Sequence, residues 1–137
     1  MDVTPLQGFG LSVATVALME VFAYAAHRWI MHGPMWVWHA SHHRDRPGWF
    51  ERNDLFAVVF AAVSCALIFM GTQLALGSLL TWVGVGVVAY GMIYFLFHDV
   101  LVHRRVTHGI VPRNKYLRRI VQAHRLHHAV GTRDGTV

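Results

Sequence analysis

Three long stretches of the sequence are almost free of charged side chains, and this feature constrains the fold most. They run from Phe9 to Trp29, from Leu55 to Gly71 and from Leu74 to Phe97. A helix that crosses the hydrocarbon core of a bilayer needs about 17 to 25 apolar residues, and each stretch approaches or reaches that length. We therefore predict an all-α fold, an integral membrane helical bundle with three clear transmembrane helices.

The segments between and after these stretches refine the prediction. Gly71-Thr72-Gln73 has the composition of a turn, so the second and third spans should form a helical hairpin. A further helix is expected near Tyr116 to Ala129, and a fourth membrane-embedded helix is left open. Residues 1–137 should form a single domain, with the histidine-rich helices as a cytoplasmic cap. A buried helix pair in a soluble protein is the alternative.

Composition agrees with a lipid environment. Hydrophobic residues make up 55% of the chain and charged residues only 14%, against about 25% charged in ordinary soluble domains. The net charge of +5 does not indicate nucleic-acid binding, because the basic residues adjoin apolar runs and form no base-reading motif. The single cysteine, Cys65, excludes an intramolecular disulfide. No Lys or Arg precedes the first apolar stretch, so we do not expect a cleaved secretory signal there.

Basic residues occupy only two regions of the chain and predict its orientation in the membrane. The first region follows the first span and the second follows the third span. Lys and Arg mark the cytoplasmic side, so the N-terminus should lie outside and both regions inside. They include Arg28, Arg44, Arg46 and Arg52, then Arg104, Arg105, Arg113, Lys115, Arg118, Arg119 and Arg125. Most of them are interpreted as topology signals and lipid-headgroup contacts.

Ten of the eleven histidines follow one pattern that occurs twice, H-x4-H and then H-x2-H-H. Each copy begins at the cytoplasmic end of an apolar span, which predicts two half-sites that together build one site. Residues at i, i+3 and i+4 share a helix face, whereas adjacent residues diverge by about 100°. Neighbours could thus serve two ions. The ten are His27, His32, His39, His42, His43, His98, His103, His124, His127 and His128.

The two H-x4-H pairs require a local departure from helical geometry. Residues five apart lie about 140° apart around a regular helix, so His27 and His32, like His98 and His103, should not converge. A helix end or a π-bulge would correct this. Gly33-Pro34 favours a helix end directly after His32; the second pair carries no such signal.

The ligand set predicts a metal site without naming its metal. Ten neutral imidazoles supply five ligands to each of two ions and leave positions open, as a catalytic site requires. Imidazole binds iron, zinc, copper and nickel. A structural zinc site needs only four ligands, so ten exceed that alternative. A histidine-rich metal transporter or metal-sensing membrane protein is the competing class, and it would consume no O2.

Two carboxylates are candidate catalytic residues near these histidines. Glu20 lies within the first span, where an ionisable side chain is costly and therefore suggests function; seven residues separate it from His27, which places both on one face. The alternative is a protonated carboxyl bonded to a neighbouring helix. Asp99 could orient the imidazole of His98, with a helix cap or an arginine ion pair as the alternative. For Glu51 and Asp54, ligand support and capping stay equally open.

The motifs together resemble those of a known group. The sequence resembles the fatty acid hydroxylase and sterol desaturase superfamily, and within it the bacterial β-carotene 3-hydroxylases of the CrtZ type. The resemblance covers nearly the whole chain. It rests on His27 to Gly33, Trp38 to His43, Asn53-Asp54-Leu55, His98 to His103 and Ala123 to Val130.

The resemblance implies a specific chemistry. Members are non-haem di-iron monooxygenases that use O2 and electrons from ferredoxin or a similar donor. They hydroxylate the β-ionone rings of β-carotene at carbon 3, giving β-cryptoxanthin and zeaxanthin. The ten clustered histidines would ligate the two iron ions, and the chain would lie in a bacterial inner membrane with its metal site on the cytoplasmic side.

The sequence departs from the family pattern at His108 and at its C-terminus, and related activities are alternatives. His108 lies outside the histidine pattern and is interpreted as an exposed loop residue. The family usually continues for some tens of residues beyond the last cluster, so we expect a chain ending at Val137 to be C-terminally truncated. A related oxygenase acting on an acyl lipid or sterol, or a carotenoid ketolase, is the alternative within the superfamily.

Overall fold

The structure is a computed structural model that describes residues 1–44 and 48–133. Arg46 and Val137 therefore lie outside the described residues. All regular elements in this part of the chain are helical, and two of the helices end in π-helical segments. They are α1 (Pro5–Ala25, continued by the π segment Ala26–Met31), α2 (Trp36–His39), α3 (Asp54–Thr72), α4 (Ser78–Tyr94, continued by the π segment Phe95–Val102) and α5 (Lys115–Ala129).

Three helices are long and apolar enough to cross a membrane, namely Pro5–Met31, Asp54–Thr72 and Ser78–Val102. Large apolar side chains point away from the protein along them; Leu6 and Leu18, for example, are 81% and 69% exposed. A surface of this kind is unfavourable in water and suits hydrocarbon. The predicted all-α membrane fold with three spans is confirmed. The basic helix α5 occupies the predicted position near Tyr116 to Ala129.

The chain divides into two compact units. The membrane unit comprises residues 1–24 and 55–93, and the histidine unit comprises residues 25–54 and the chain from residue 94. Every histidine of the sequence belongs to the histidine unit. The single-domain organisation of residues 1–137 stays a prediction.

The third span begins later than its sequence pattern predicts. Leu74 is apolar, but α4 starts at Ser78. Gly77 has a φ of 117°, a left-handed conformation that glycine adopts without strain and that ends the turn after α3. The Ser78 amide then donates to Asp2 Oδ1 at 2.9 Å. Hydropathy cannot separate Leu74 from the span, because the start of α4 depends on these backbone contacts.

Close packing within the membrane unit depends on small residues in α4. A Cβ atom at Gly86 would lie 2.6 Å from the Thr15 Cβ and 2.9 Å from the Ser12 carbonyl oxygen. At Gly91, in the same helix, a Cβ atom would meet nothing within 4 Å. The missing side chain at Gly86 therefore lets α1 and α4 approach closely.

This difference predicts opposite effects of one substitution at two positions. Gly86→Ala should lower the free energy of unfolding by about 1 to 3 kcal/mol, because the added methyl group forces the two helices apart. Gly91→Ala is the matched control and should be neutral or stabilising by up to about 1 kcal/mol. Thermal unfolding in detergent measures both. Equal losses of stability would contradict the packing described here.

Candidate metal centre

The two π segments bring the members of each H-x4-H pair together. The His32 amide donates to the His27 carbonyl at 3.0 Å, and the His103 amide donates to the His98 carbonyl at 3.0 Å. These i to i+5 bonds widen the helix by one residue. The ring centroids are consequently 4.8 Å apart in the first pair and 4.6 Å apart in the second. A π turn supplies the correction at both pairs, including the one that carries no sequence signal.

The H-x2-H-H segments are presented by two different local structures. In the first copy α2 ends at His39, and a tighter turn follows in which the His42 amide donates to the His39 carbonyl at 2.9 Å. In the second copy all three histidines lie on α5. Its N-cap Asn114 accepts a hydrogen bond from the Tyr116 amide at 2.7 Å, which fixes the start of the helix.

The histidines form two groups in which one imidazole nitrogen of each member lies within 4.8 Å of those of all the others. We name these groups the His42 centre and the His32 centre. His43 lies beside the second centre, with its Nε2 atom 3.3 Å from that of His39. It also forms a smaller group with His127 and His128, one member of each centre. The His42 centre consists of His42, His98, His103, His124 and His128, and the His32 centre of His27, His32, His39 and His127.

The middle histidine of each H-x2-H-H motif joins the centre of the other half. His42 comes from the first half, yet it lies among the histidines of the second half; His127 makes the reverse exchange. The sequence predicts that adjacent histidines, which diverge by about 100° around a helix, can serve two ions. His127 and His128 are arranged in this way, because each belongs to a different centre.

The spacing of the Nε2 atoms fits metal ligation. The Nε2 atoms of His32 and His127 are 3.2 Å apart, and those of His42 and His98 are also 3.2 Å apart. Imidazole nitrogens bind an ion such as zinc at about 2.0 to 2.1 Å, so two ligands at right angles would be about 3.0 Å apart. In addition, the Nε2 atom of His128 is buried without a hydrogen-bond partner among the described residues. The donor set therefore fits a pair of metal ions.

Burial keeps several of these imidazoles neutral. Together with the charge of the neighbouring histidines, it lowers the pKa of His39 to about 3 and that of His124 to about 2. The pKa of His42 is lowered still more by burial and by the charge of His98. Burial also lowers the pKa of His43, to about 4. Neutral imidazole is the form that binds metal, so these side chains are ready for ligation at neutral pH.

Hydrogen bonds at Nδ1 fix the orientation of four rings. His39 Nδ1 donates to Asn53 Oδ1 at 2.8 Å, and His42 Nδ1 donates to Glu51 Oε1 at 2.7 Å. A proton on Nδ1 leaves the Nε2 lone pair free for a metal. The other two rings follow the same arrangement: His32 Nδ1 donates to the Arg133 carbonyl at 2.9 Å, and His98 Nδ1 donates to Asp99 Oδ2 at 3.3 Å.

The candidate carboxylates have separate environments. Asp99 contacts His98 and also Arg105, whose NH1 atom lies 3.1 Å from Asp99 Oδ1. The contact with a histidine of the site and the ion pair with an arginine, which the sequence offered as alternatives, are therefore both present. Glu20 accepts a hydrogen bond from Tyr90 Oη at 3.0 Å. That contact matches the alternative of a carboxyl bonded to a neighbouring helix, and a catalytic role for Glu20 stays a prediction.

Sequence reasoning missed several residues at the site. Asn53 and Arg133 carry no metal-binding signal, because an amide and a backbone carbonyl become orienting groups only through the fold. Tyr94 stacks on His98 with the ring centroids 4.6 Å apart, and four residues separate them, a helical spacing that could have indicated the contact. Trp36 packs against His32 with the centroids 5.1 Å apart.

His108 is half-buried and lies outside both centres. Its Nε2 atom donates to the Val100 carbonyl at 2.7 Å, and its Nδ1 atom accepts from the Ile110 amide at 3.1 Å. Its exclusion from the histidine groups agrees with the sequence pattern, whereas the expected exposure does not. The two bonds give it a role in holding the segment after the third span.

An all-helical membrane protein with two polyhistidine centres is the class of protein that this fold and site define. A sequence model of the fatty acid hydroxylase family matches residues 12–135, and the chain belongs to that family. No solved structure matches it.

Curated relatives narrow the comparison. The chain is 48% identical over 133 residues to a β-carotene hydroxylase of a Paracoccus species, covering 96% of this chain and 81% of the relative. It is 52% identical over 124 residues to a β-carotene hydroxylase of Pantoea ananas, covering 90% of this chain and 69% of the relative. A chloroplastic β-carotene 3-hydroxylase of Arabidopsis thaliana is 39% identical over 132 residues, with 93% and 44% covered.

Proposed function

We propose that this chain is a β-carotene 3-hydroxylase, a non-haem di-iron monooxygenase that converts β-carotene to β-cryptoxanthin and zeaxanthin. The observation that carries the proposal is the pair of histidine centres in a chain 48% to 53% identical to bacterial β-carotene hydroxylases. Two iron ions held there would supply the O2-dependent oxidation of a C–H bond. The ten clustered histidines are their proposed ligands.

The protein's own contribution to this reaction is positioning and the exclusion of water. His39 is only 2% exposed, and His42, His98 and His127 are also buried. The Nδ1 partners of His39, His42 and His98 hold these rings in one tautomer, so that Nε2 points inward. The apolar spans keep the chain in the phase where a carotenoid dissolves, and the substrate's long body can therefore stay in lipid while one ring is oxidised.

The remaining proposals concern location and supply of electrons. The basic residues after the first and third spans support an orientation with the metal centres on the cytoplasmic side of a bacterial inner membrane. That side also gives access to a soluble donor, for which we propose reduced ferredoxin or a similar protein.

Expression of the chain in cells that accumulate β-carotene tests the proposal. Chromatography and mass analysis should detect mono- and dihydroxylated carotenoids, and a His124→Ala variant should form neither. Unchanged β-carotene beside a folded, iron-loaded protein would contradict the assigned substrate. A ketolated carotenoid or an oxidised acyl lipid or sterol would instead identify a related oxygenase.

A further inference from the structure

The two histidine centres differ in the charge of the groups that orient their ligands. Two rings of the His42 centre donate from Nδ1 to carboxylates, His42 to Glu51 and His98 to Asp99. Two rings of the His32 centre donate to neutral acceptors, His39 to the side-chain amide of Asn53 and His32 to the backbone carbonyl of Arg133. The inward-facing Nε2 atoms look alike, but the imidazoles behind them are polarised to different extents.

Arg105 links the two carboxylates of the His42 centre. Its guanidinium lies 3.1 Å from Asp99 Oδ1 and 3.6 Å from Glu51 Oε1. The same group donates to both oxygens of Asp54, at 2.7 Å and 2.9 Å. Asp54 Oδ2 in turn accepts from the Glu51 amide at 3.0 Å. A single cation therefore holds three carboxylates, two of which hold metal-facing rings.

The location of Arg105 distinguishes it from the other basic residues. Its side chain is only 11% exposed, whereas the adjacent Arg104 is exposed. The Arg105 amide also donates to the Asp99 carbonyl at 2.8 Å, which ties the residue to the π segment carrying His98. Burial alone would lower the pKa of its guanidinium, but Asp54, Asp99 and Glu51 together raise it.

Resting on the proposed function, we infer that Arg105 is a positioning residue for one metal only, and that its carboxylate network makes the His42 centre bind its ion differently from the His32 centre. Three carboxylates and one guanidinium leave a formal excess of two negative charges beside the His42 centre. A carboxylate behind an imidazole makes the ring a more basic ligand than a neutral acceptor does, and loss of such a partner costs about 10- to 100-fold in metal affinity.

Zinc binding by the purified 137-residue chain in detergent tests this without catalysis. Competition with a chromophoric chelator should show two ions leaving the wild type in two steps. Glu51→Gln, nearly isosteric, and Arg105→Ala should each weaken the same step by about 10- to 100-fold. Asn53→Ala should weaken the other step. Arg104→Ala is the matched control, because it removes an adjacent positive charge that contacts none of these carboxylates.

A spectroscopic readout separates ligand positioning from a general effect on folding. In protein loaded anaerobically with ⁵⁷Fe(II), Glu51→Gln should change one of two Mössbauer doublets and leave the other as in the wild type. Arg105→Lys keeps the charge but not the planar fork, and it should resemble Arg105→Ala.

Three results would overturn the inference while leaving the proposed function intact. They are equal shifts of both steps in Glu51→Gln, the same step affected by Glu51→Gln and Asn53→Ala, or Arg105→Ala behaving as Arg104→Ala does. A wild-type chain that binds no metal would instead contradict the proposed function together with the inference.

Discussion

Replacing His127 with alanine is expected to abolish hydroxylated carotenoid and to remove about one iron ion per chain. His127 is buried, and its Nε2 atom lies 3.2 Å from that of His32. We propose it as the ligand that α5 contributes to the His32 centre, whose other members come from the first half of the chain. Loss of an orienting partner alone costs about 10- to 100-fold, so removal of a direct ligand should cost more than about 100-fold in product formation.

His108→Ala is the matched control for this experiment. It removes the same side chain from the histidine unit, but from a position outside both centres. Iron content by elemental analysis and pigment content by chromatography should therefore stay near the wild-type values. Retention of two iron ions and full product formation by His127→Ala would contradict the exchange of ligands between the halves.

The metal-free protein is expected to lose stability steeply as the pH falls from 7.5 to 5. Exposed histidine has a pKa near 6.5, whereas burial lowers the pKa of His39 to about 3 and that of His42 further. Below pH 6.5 the unfolded state thus binds protons that the folded state excludes, and stability falls with the pH. At pH 5 the cost is about 2 kcal/mol for each of these two buried rings, as an order of magnitude.

Thermal unfolding of the metal-free protein at several pH values measures this loss. In His39→Gln the free energy of unfolding should fall less between pH 7.5 and 5, by the contribution of one histidine, because glutamine does not titrate. A melting temperature that stays constant between pH 7.5 and 5, or a pH dependence unchanged in His39→Gln, would contradict the prediction.

The spans and the set of histidines could be predicted from the sequence because both are local patterns. Hydropathy identifies α1, α3 and α4, and the repeated H-x4-H and H-x2-H-H motifs identify the nine histidines of the two centres and His43 beside them. Helical spacing explains why His124 and His128, both on α5, face the same centre. The predicted start of the third span at Leu74 was wrong, because α4 begins at Ser78, where the backbone amide bonds to Asp2.

The division of ligands between the centres could not be predicted in the same way. His42 and His127 change sides because of how the helices and turns of the histidine unit meet, and no local pattern encodes that. Charge alone likewise makes Glu51 and Asp54 equivalent, although Glu51 orients His42 and Asp54 accepts two hydrogen bonds from Arg105. Arg105 itself resembles a topology signal until its burial among three carboxylates is known.

The ligand exchange also affects how the protein matures. His42 meets His98 across 56 residues of sequence, and His32 meets His127 across 95. A metal ion in either centre is therefore a cross-link that closes a long loop, and such links remove much of the entropy of an unfolded chain. Neither proposed set of ligands is complete until the last histidine helix has been synthesised, so full metal loading would follow translation rather than accompany it.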